Sequence, residues 1–343
     1  MPSTSKSWLK YFLFLCGWFL LYLAGTELFM RAFVVSTFPY DILKNGHIFE
    51  VWGIEGYGVT RYLPNAEVRT PYDTGDINIA VLGNSYTMSK QVMDWQNYVS
   101  VAETRLHKDG VQADLHNLGI NGLTLPSYIA RSAFVLEQYK PDIVVIQVSP
   151  NEFFSDGFQG AMRGGHFEFN SSDVLEVVPP KSPNLLLPEQ IGPNSPPVDI
   201  TNYSSIFVYL SYIGRQQAEG GRPTIDRKGH TNSEIATLEL QLLAKAYGDV
   251  PIVFVLVPHD ISVRKKSAKY EDGDRYQLIM NIIARDHPNW KVVYPIAEFN
   301  QLLRKGLAPM GFNNTKPFLG HMNVYGHKVV GEALAQMLES MLK

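Results

Sequence analysis

The chain has 343 residues, enough for one large domain or two small ones, and its 45% hydrophobic content can fill a sizeable core. A net charge of −3 and the lack of any Lys/Arg-rich block leave a nucleic-acid partner without electrostatic support. The single cysteine, Cys16, excludes an intramolecular disulfide framework, and no CxxC or HExxH spacing suggests zinc.

The first residues differ from the rest. Lys6 and Lys10 precede an uncharged run from Tyr11 to Thr26, followed by Glu27, three apolar residues and Arg31. A bilayer core needs about 20 mostly apolar residues, and Tyr11 to Met30 approaches that with Glu27 near the interface. A cleaved signal is the alternative, but no small residue lies three positions before Ala24 or Gly25. Residues 1–33 therefore read as a retained anchor. Lys6 and Lys10 favour a cytoplasmic amino terminus with the rest of the chain periplasmic or extracellular; Arg31 and Lys44 pull the other way. Cys16, flanked by Leu15 and Leu13, does not resemble a lipidation site.

Residues 34–76 read as a stalk and strap, irregular from Val34 to Thr74, with Pro64 and Asn65 in a turn-like context. A periodic region follows, taken as one domain over 77–343. The run 77–82, INIAVL, suits a buried strand. Residues 95–110 read as a helix, 112–120 as a strand, 125–141 as a helix closed by Pro141, and 142–149 as a third strand. This alternation predicts βαβ units, and right-handed crossovers put the strands' carboxyl ends on one edge, where open α/β sheets build sites.

The rhythm breaks over about 153–230, which is dense in proline and reads as an irregular insertion over the site, with one helix at 204–217. Its aromatic run IFVYLSYI could line a pocket but is more often helix core. The pattern resumes with a helix at 233–249, a strand at 250–258, a helix near 272–286, a short strand KVVYP and a final helix after Gly326. The sequons at Asn170, Asn202 and Asn313 carry no weight without a known source.

The polar residues after each strand suggest chemistry. Gly83-Asn84-Ser85 follows the first, Gly119 and Gly122 the second, and Asn151 the third; His321 and His327 stand in GHMNVYGH near the end. Acyl transfer needs a nucleophile, a base and donors for an oxyanion. Serine, histidine, a glycine N–H and an asparagine amide can supply these.

At these residues the sequence resembles the SGNH (GDSL-type) hydrolase family. The first block matches Gly83-Asn84-Ser85, the second Gly122, the third Asn151, and the last HMNVYGH from His321 to His327. The resemblance covers roughly Ile77 to Leu334, poorly over the insertion, and the lead-in RYLPNAEV is similar to that of membrane-anchored or exported members. It implies a flavodoxin-like three-layer α/β/α fold with a parallel sheet, behind one transmembrane helix. It also implies Ser85 as nucleophile, His321 as base, an oxyanion hole from the Ser85 and Gly122 N–H groups and the Asn151 side chain, a structural role for His327, and no cofactor.

Two departures stand out. Asn84 replaces the family's aspartate before the serine. The acid expected two or three residues before the histidine is absent, since those positions are Leu319 and Phe318. A backbone carbonyl could fix the imidazole tautomer, leaving a Ser85–His321 dyad. Asp260, in VPHDIS, could supply the acid from elsewhere. His259-Asp260 as a metal pair lacks a third ligand at suitable spacing, and Glu152 reads as a solvated loop carboxylate.

The expected function is a serine-dependent acyl ester hydrolase acting outside the cytoplasm on O-acyl groups of an envelope glycan or polysaccharide. The expected partners are that acyl ester and the membrane, through the amino-terminal helix. An O-acetyltransferase using the same residues, and a non-catalytic binding module favoured by the missing acid, are the alternatives.

Overall fold

The computed structural model describes residues 5–29, 40–44, 47–53, 55–62, 76–149, 152–153, 165–179, 228–257, 261–264, 267–270, 273–315 and 318–343. The first helix, α1 (Ser5–Phe29), contains the stretch Trp8–Phe29, which is long and apolar enough to cross a membrane. Its 22 residues span about 33 Å at about 1.5 Å per residue, against a hydrocarbon core of about 30 Å, and an 18-residue window within it has a mean hydropathy of 1.7. None of that window is buried against the rest of the chain.

The stretch expected to be irregular instead contains three antiparallel strands, β1 (Tyr40–Lys44), β2 (His47–Val51) and β3 (Val59–Tyr62), in that order. The β2 segment HIFEV and the β3 segment VTRY are rich in β-branched and aromatic residues, which favour strands.

The central sheet has five parallel strands: β4 (Ile77–Leu82), β5 (Ala113–Asn117), β6 (Ile143–Val148), β9 (Ile252–Leu256) and β12 (Lys291–Val293). They run in the order β12-β9-β6-β4-β5, the flavodoxin-like arrangement. The chain leaves β4 for β5 on one side and returns to β6 on the other. The carboxyl end of β4 is therefore the topological switch point, and Ser85 lies three residues beyond Leu82.

Side chains alternate along β4, and this splits the core into two layers. Ala80 and Leu82 join Val144, Ile146 and Phe254 beneath α4 (Leu125–Ala130), α5 (Ser132–Tyr139), α6 (Asn232–Tyr247) and α7 (Gly273–Asp286). Ile79 and Val81 join Val145 and Val255 beneath α3 (Tyr98–Lys108), α8 (Ile296–Arg304) and α9 (Val324–Leu342). The strands read as continuous apolar runs because both faces are covered.

Local signals set the ends of several helices. Asn97 caps α3 through Ser100 N–H at 2.9 Å, and Thr231 and Glu234 form a capping box on α6. The helix expected over 125–141 is two helices that meet at Arg131, and the final helix starts before Gly326, capped by Asn323. Also not expected were α8 (Ile296–Arg304) and the hairpin of β10 (Ile261–Arg264) with β11 (Ser267–Tyr270). A hairpin of β7 (His166–Phe169) and β8 (Leu175–Val178) stands inside the expected insertion and sends Phe167 and Leu175 into the core. The helix expected at 204–217, with its aromatic run, lies outside the described residues.

His327 is 1% exposed on α9, with its ring stacked over Tyr98 at 6.2 Å between centroids. Burial pushes its pKa from the ordinary 6.5 down to about 3, and neighbouring His321 adds to the shift. The folded protein thus holds a neutral imidazole that the unfolded chain protonates below pH 6.5. Stability should fall as pH drops from 6.5 toward 3, by up to about 1.4 kcal/mol per pH unit from this group. Urea unfolding of His327→Phe, which keeps the stacked ring, should show a shallower acid slope than wild type; equal slopes would clear His327 of this role.

Candidate active site

The apolar run of β4 ends at Leu82, and the chain turns through Gly83 and Asn84 into α2 (Ser85–Met88). The Asn84 side-chain oxygen accepts from Tyr86 N–H at 3.0 Å and caps this short helix. The turn leaves Ser85 half-buried at the sheet's carboxyl edge.

His321 comes to the same place from the far end of the chain. Its Nε2 lies 2.7 Å from Ser85 Oγ. Its loop is pinned at several points: Gly311 N–H donates to the His321 carbonyl at 3.0 Å, Met310 bridges Met322, and the Asn323 amide donates to the Ala308 and Gly311 carbonyls. The Tyr86 hydroxyl donates to the Gly320 carbonyl at 3.0 Å, and the Tyr86 ring lies 5.0 Å from the imidazole.

The acid expected near Leu319 and Phe318 is supplied by Glu55, from the turn between β2 and β3. Glu55 Oε2 is 2.5 Å from His321 Nδ1, and Oε1 accepts from the His321 backbone N–H at 2.7 Å. Both carboxylate oxygens are thus used on one residue. With Nδ1–H donating to Glu55, the network assigns Nε2 as the acceptor for the Ser85 hydroxyl proton. Glu55 is only 13% exposed and His321 27%, so the pair is largely shielded from water.

The backbone before His321 is shaped for this contact. Phe318, at the position where the family resemblance expects an acid, has φ of +67°, a conformation costly for a residue with a Cβ. Gly320 has φ of +82°, and a Cβ there would stand 2.2 Å from Glu55 Oε1. The acid candidate Asp260, with its neighbour His259, lies outside the described residues.

The loop after β5 is stitched to the serine turn: Leu118 N–H donates to the Val81 carbonyl and Ile120 N–H to the Gly83 carbonyl. This loop carries Gly122, at φ of +77°, where a Cβ would face open space. Asn151 lies outside the described residues; of those on either side of it, Glu152 N–H donates to the Ser149 carbonyl at 3.0 Å.

Glu152 is not solvated, contrary to the sequence expectation. It is 5% exposed, and its Oε1 accepts from Ser149 N–H at 2.9 Å, Ser149 Oγ at 3.0 Å and Asn84 Nδ2 at 2.9 Å. This contact accounts for Asn84. An aspartate there would set two carboxyl groups face to face in a buried site, whereas the asparagine amide donates. Among the described residues no cluster of His, Cys, Asp or Glu is suited to hold a metal ion.

No family model matches the chain, and no curated protein matches it. Solved structures similar to it include LAE5, an alpha/beta hydrolase enzyme from the metagenome of Lake Arreo, Spain, at 14% identity and a TM-score of 0.41, covering 77% of this chain and 96% of that one. A catalytic mutant of Axe2, an acetylxylan esterase from Geobacillus stearothermophilus, is 16% identical at a TM-score of 0.41, covering 77% and 94%. A carbohydrate esterase family 2 enzyme from Corynascus thermopiles (Myceliophthora fergusii) is 13% identical at 0.39, covering 83% and 71%. These likenesses are weak; fold and site stand on this chain's own strand order and hydrogen bonds.

Burial raises the Glu152 pKa from the ordinary 4.5 to about 8, against the lowering effect of its hydrogen bonds from Ser149, Tyr128 and Asn84. The folded state therefore binds a proton that the unfolded chain releases. Its stabilising share is complete below pH 4.5 and is lost as pH rises through 8, at up to about 1.4 kcal/mol per pH unit. Glu152→Gln keeps an acceptor oxygen and removes the titration. Urea unfolding between pH 5 and 8.5 should show wild type losing stability with pH faster than the variant, and parallel curves would contradict the buried proton.

Proposed function

We propose that this chain is a serine-dependent acyl ester hydrolase of the SGNH type. The observation that carries this reading is the relay from Ser85 Oγ to His321 Nε2 at 2.7 Å and from His321 Nδ1 to Glu55 Oε2 at 2.5 Å, at the switch point of a parallel sheet. Ser85 Oγ attacks the ester carbonyl carbon as its proton passes to His321 Nε2. Glu55 holds the ring in the productive tautomer and steadies the imidazolium. The Ser85 N–H, which has no acceptor among the described residues, the Gly122 N–H and the Asn151 amide receive the oxyanion. When the tetrahedral intermediate collapses, the carbon–oxygen bond to the leaving alcohol breaks, and His321 returns the proton to that alcohol. Water, deprotonated by the same histidine, then attacks the acyl carbon; the bond from that carbon to Ser85 Oγ breaks, the carboxylic acid leaves, and His321 returns the proton to Ser85 Oγ.

The reading extends to the setting. The apolar length of α1 and the position of Lys6 and Lys10 support an anchor with a cytoplasmic amino terminus and a catalytic part outside. That placement favours O-acyl groups on an envelope glycan or polysaccharide as substrate. The non-catalytic alternative drew its support from a missing acid, and Glu55 at the imidazole removes that support.

A fluorophosphonate probe on the full chain in detergent tests the chemistry. Wild type should gain one adduct by intact mass, and Ser85→Ala none. His321→Ala and Glu55→Ala should slow labelling on the order of 10³-fold or more. A folded wild type that takes no adduct, or labelling indifferent to His321, would overturn the proposal.

A further inference from the structure

Glu55 belongs to a different part of the chain from its partner. It is separated from His321 by 266 positions and sits on the β2–β3 turn, outside the α/β unit that carries Ser85 and His321. Its distance from the imidazole is therefore set by how that turn is held. Two contacts hold the strands on either side: Lys90 Nζ pairs with the Glu50 carboxylate at 2.7 Å, and Arg61 N–H donates to the Asp94 carboxylate at 3.1 Å. Neither touches the residues immediately around Glu55.

Asn314 does. Its Oδ1 accepts from Gly56 N–H at 2.9 Å, while its Nδ2 donates to the Gly53 carbonyl at 3.0 Å and the Gly56 carbonyl at 3.2 Å. Both ends of the amide are committed to the turn that carries the acid. Packing supports the grip, because a Cβ on Gly56 would stand 2.2 Å from the Gln91 carbonyl and 2.9 Å from the Phe312 ring. Asn314 also shares a loop with the base: Phe312 N–H donates to Thr315 Oγ1, and Gly311 N–H to the His321 carbonyl.

We infer that Asn314 is a positioning residue that sets the acid against the base by tying the Gly53–Gly56 turn to the loop that bears His321. It touches no reacting atom, and its action runs through Glu55, so the inference rests on the proposed role of that residue. The amide chemistry is specific. An aspartate could still accept from Gly56 N–H, but it would face the two carbonyls with oxygen instead of a donor. Misplacing a catalytic group by about 1 Å costs on the order of 10²-fold in rate.

The test uses the full-length chain in detergent, with p-nitrophenyl acetate turnover and fluorophosphonate labelling as readouts. Asn314→Ala should lower kcat and the labelling rate by about 10- to 100-fold with KM nearly unchanged. Asn314→Asp should fall at least as far, and it serves as the second variant if the alanine form is unstable. In the Glu55→Ala background, Asn314→Ala should cost no more than about twofold further. A full extra loss in that background, or wild-type rates in both Asn314 variants, would overturn the positioning role while leaving Glu55 as the acid. A Glu55→Ala variant as active as wild type would overturn both.

Discussion

The arrangement depends on one requirement: the His321 imidazole needs an acceptor for its Nδ1 proton, and among the described residues Glu55 supplies it. Phe318 and Leu319 stand where the resemblance expects an acid. Glu55 meets the requirement from outside, and the surrounding geometry accommodates it. Gly320 leaves room for the carboxylate, Phe318 takes a left-handed backbone conformation, and Gly56 lets the incoming turn lie against Gln91 and Phe312. A carboxylate brought across 266 positions is only as well placed as the surface that receives it, so the receiving loop is dense in hydrogen bonds.

The serine side shows a matched pair of changes. Asn84 alone looks like a tolerable substitution for aspartate. Beside Glu152 it is a donor set against a buried carboxyl group. That contact ties the residue before Ser85 to the residue after Asn151. The turn that holds Ser85 and the Glu152 side chain are therefore fixed to each other by one buried interaction. Burial favours the neutral form of Glu152, which lowers the cost of placing it there.

Much of the frame was legible in the sequence. The runs INIAVL, DIVVIQVS and VPIVFVLVP are apolar on both faces because helices cover both, and a chain pattern can show that. The order of Ser85, Gly122 and His321 along the chain was likewise readable, since each follows a strand or precedes a helix. Glu55 was not, because no periodicity links it to a histidine so far away. Its one local signal was the run WGIEGYG, where glycines at 53, 56 and 58 flank a single carboxylate, the pattern of a turn that packs closely against something else. Glu152 misled for the opposite reason. A charged residue beside Pro150 and Asn151 reads as solvated, and only the fold reveals that the Glu152 side chain is buried.

The position of the acid also bears on the anchor. Glu55 lies 26 residues beyond Phe29, the end of α1 (55 − 29 = 26). At no more than about 3.5 Å per residue, that chain reaches at most about 90 Å. β1 and β2 double back on each other, as do β2 and β3, which shortens the reach further. With α1 across a bilayer, Glu55, and with it the Ser85–His321–Glu55 contacts, would lie within that reach of the membrane surface. A longer linker placed between α1 and β1 would move the whole site outward together, since the acid lies after β2. The apolar helix α1 and Glu55 thus share one stretch of chain, so any constraint placed on the helix is passed to the carboxylate that meets His321.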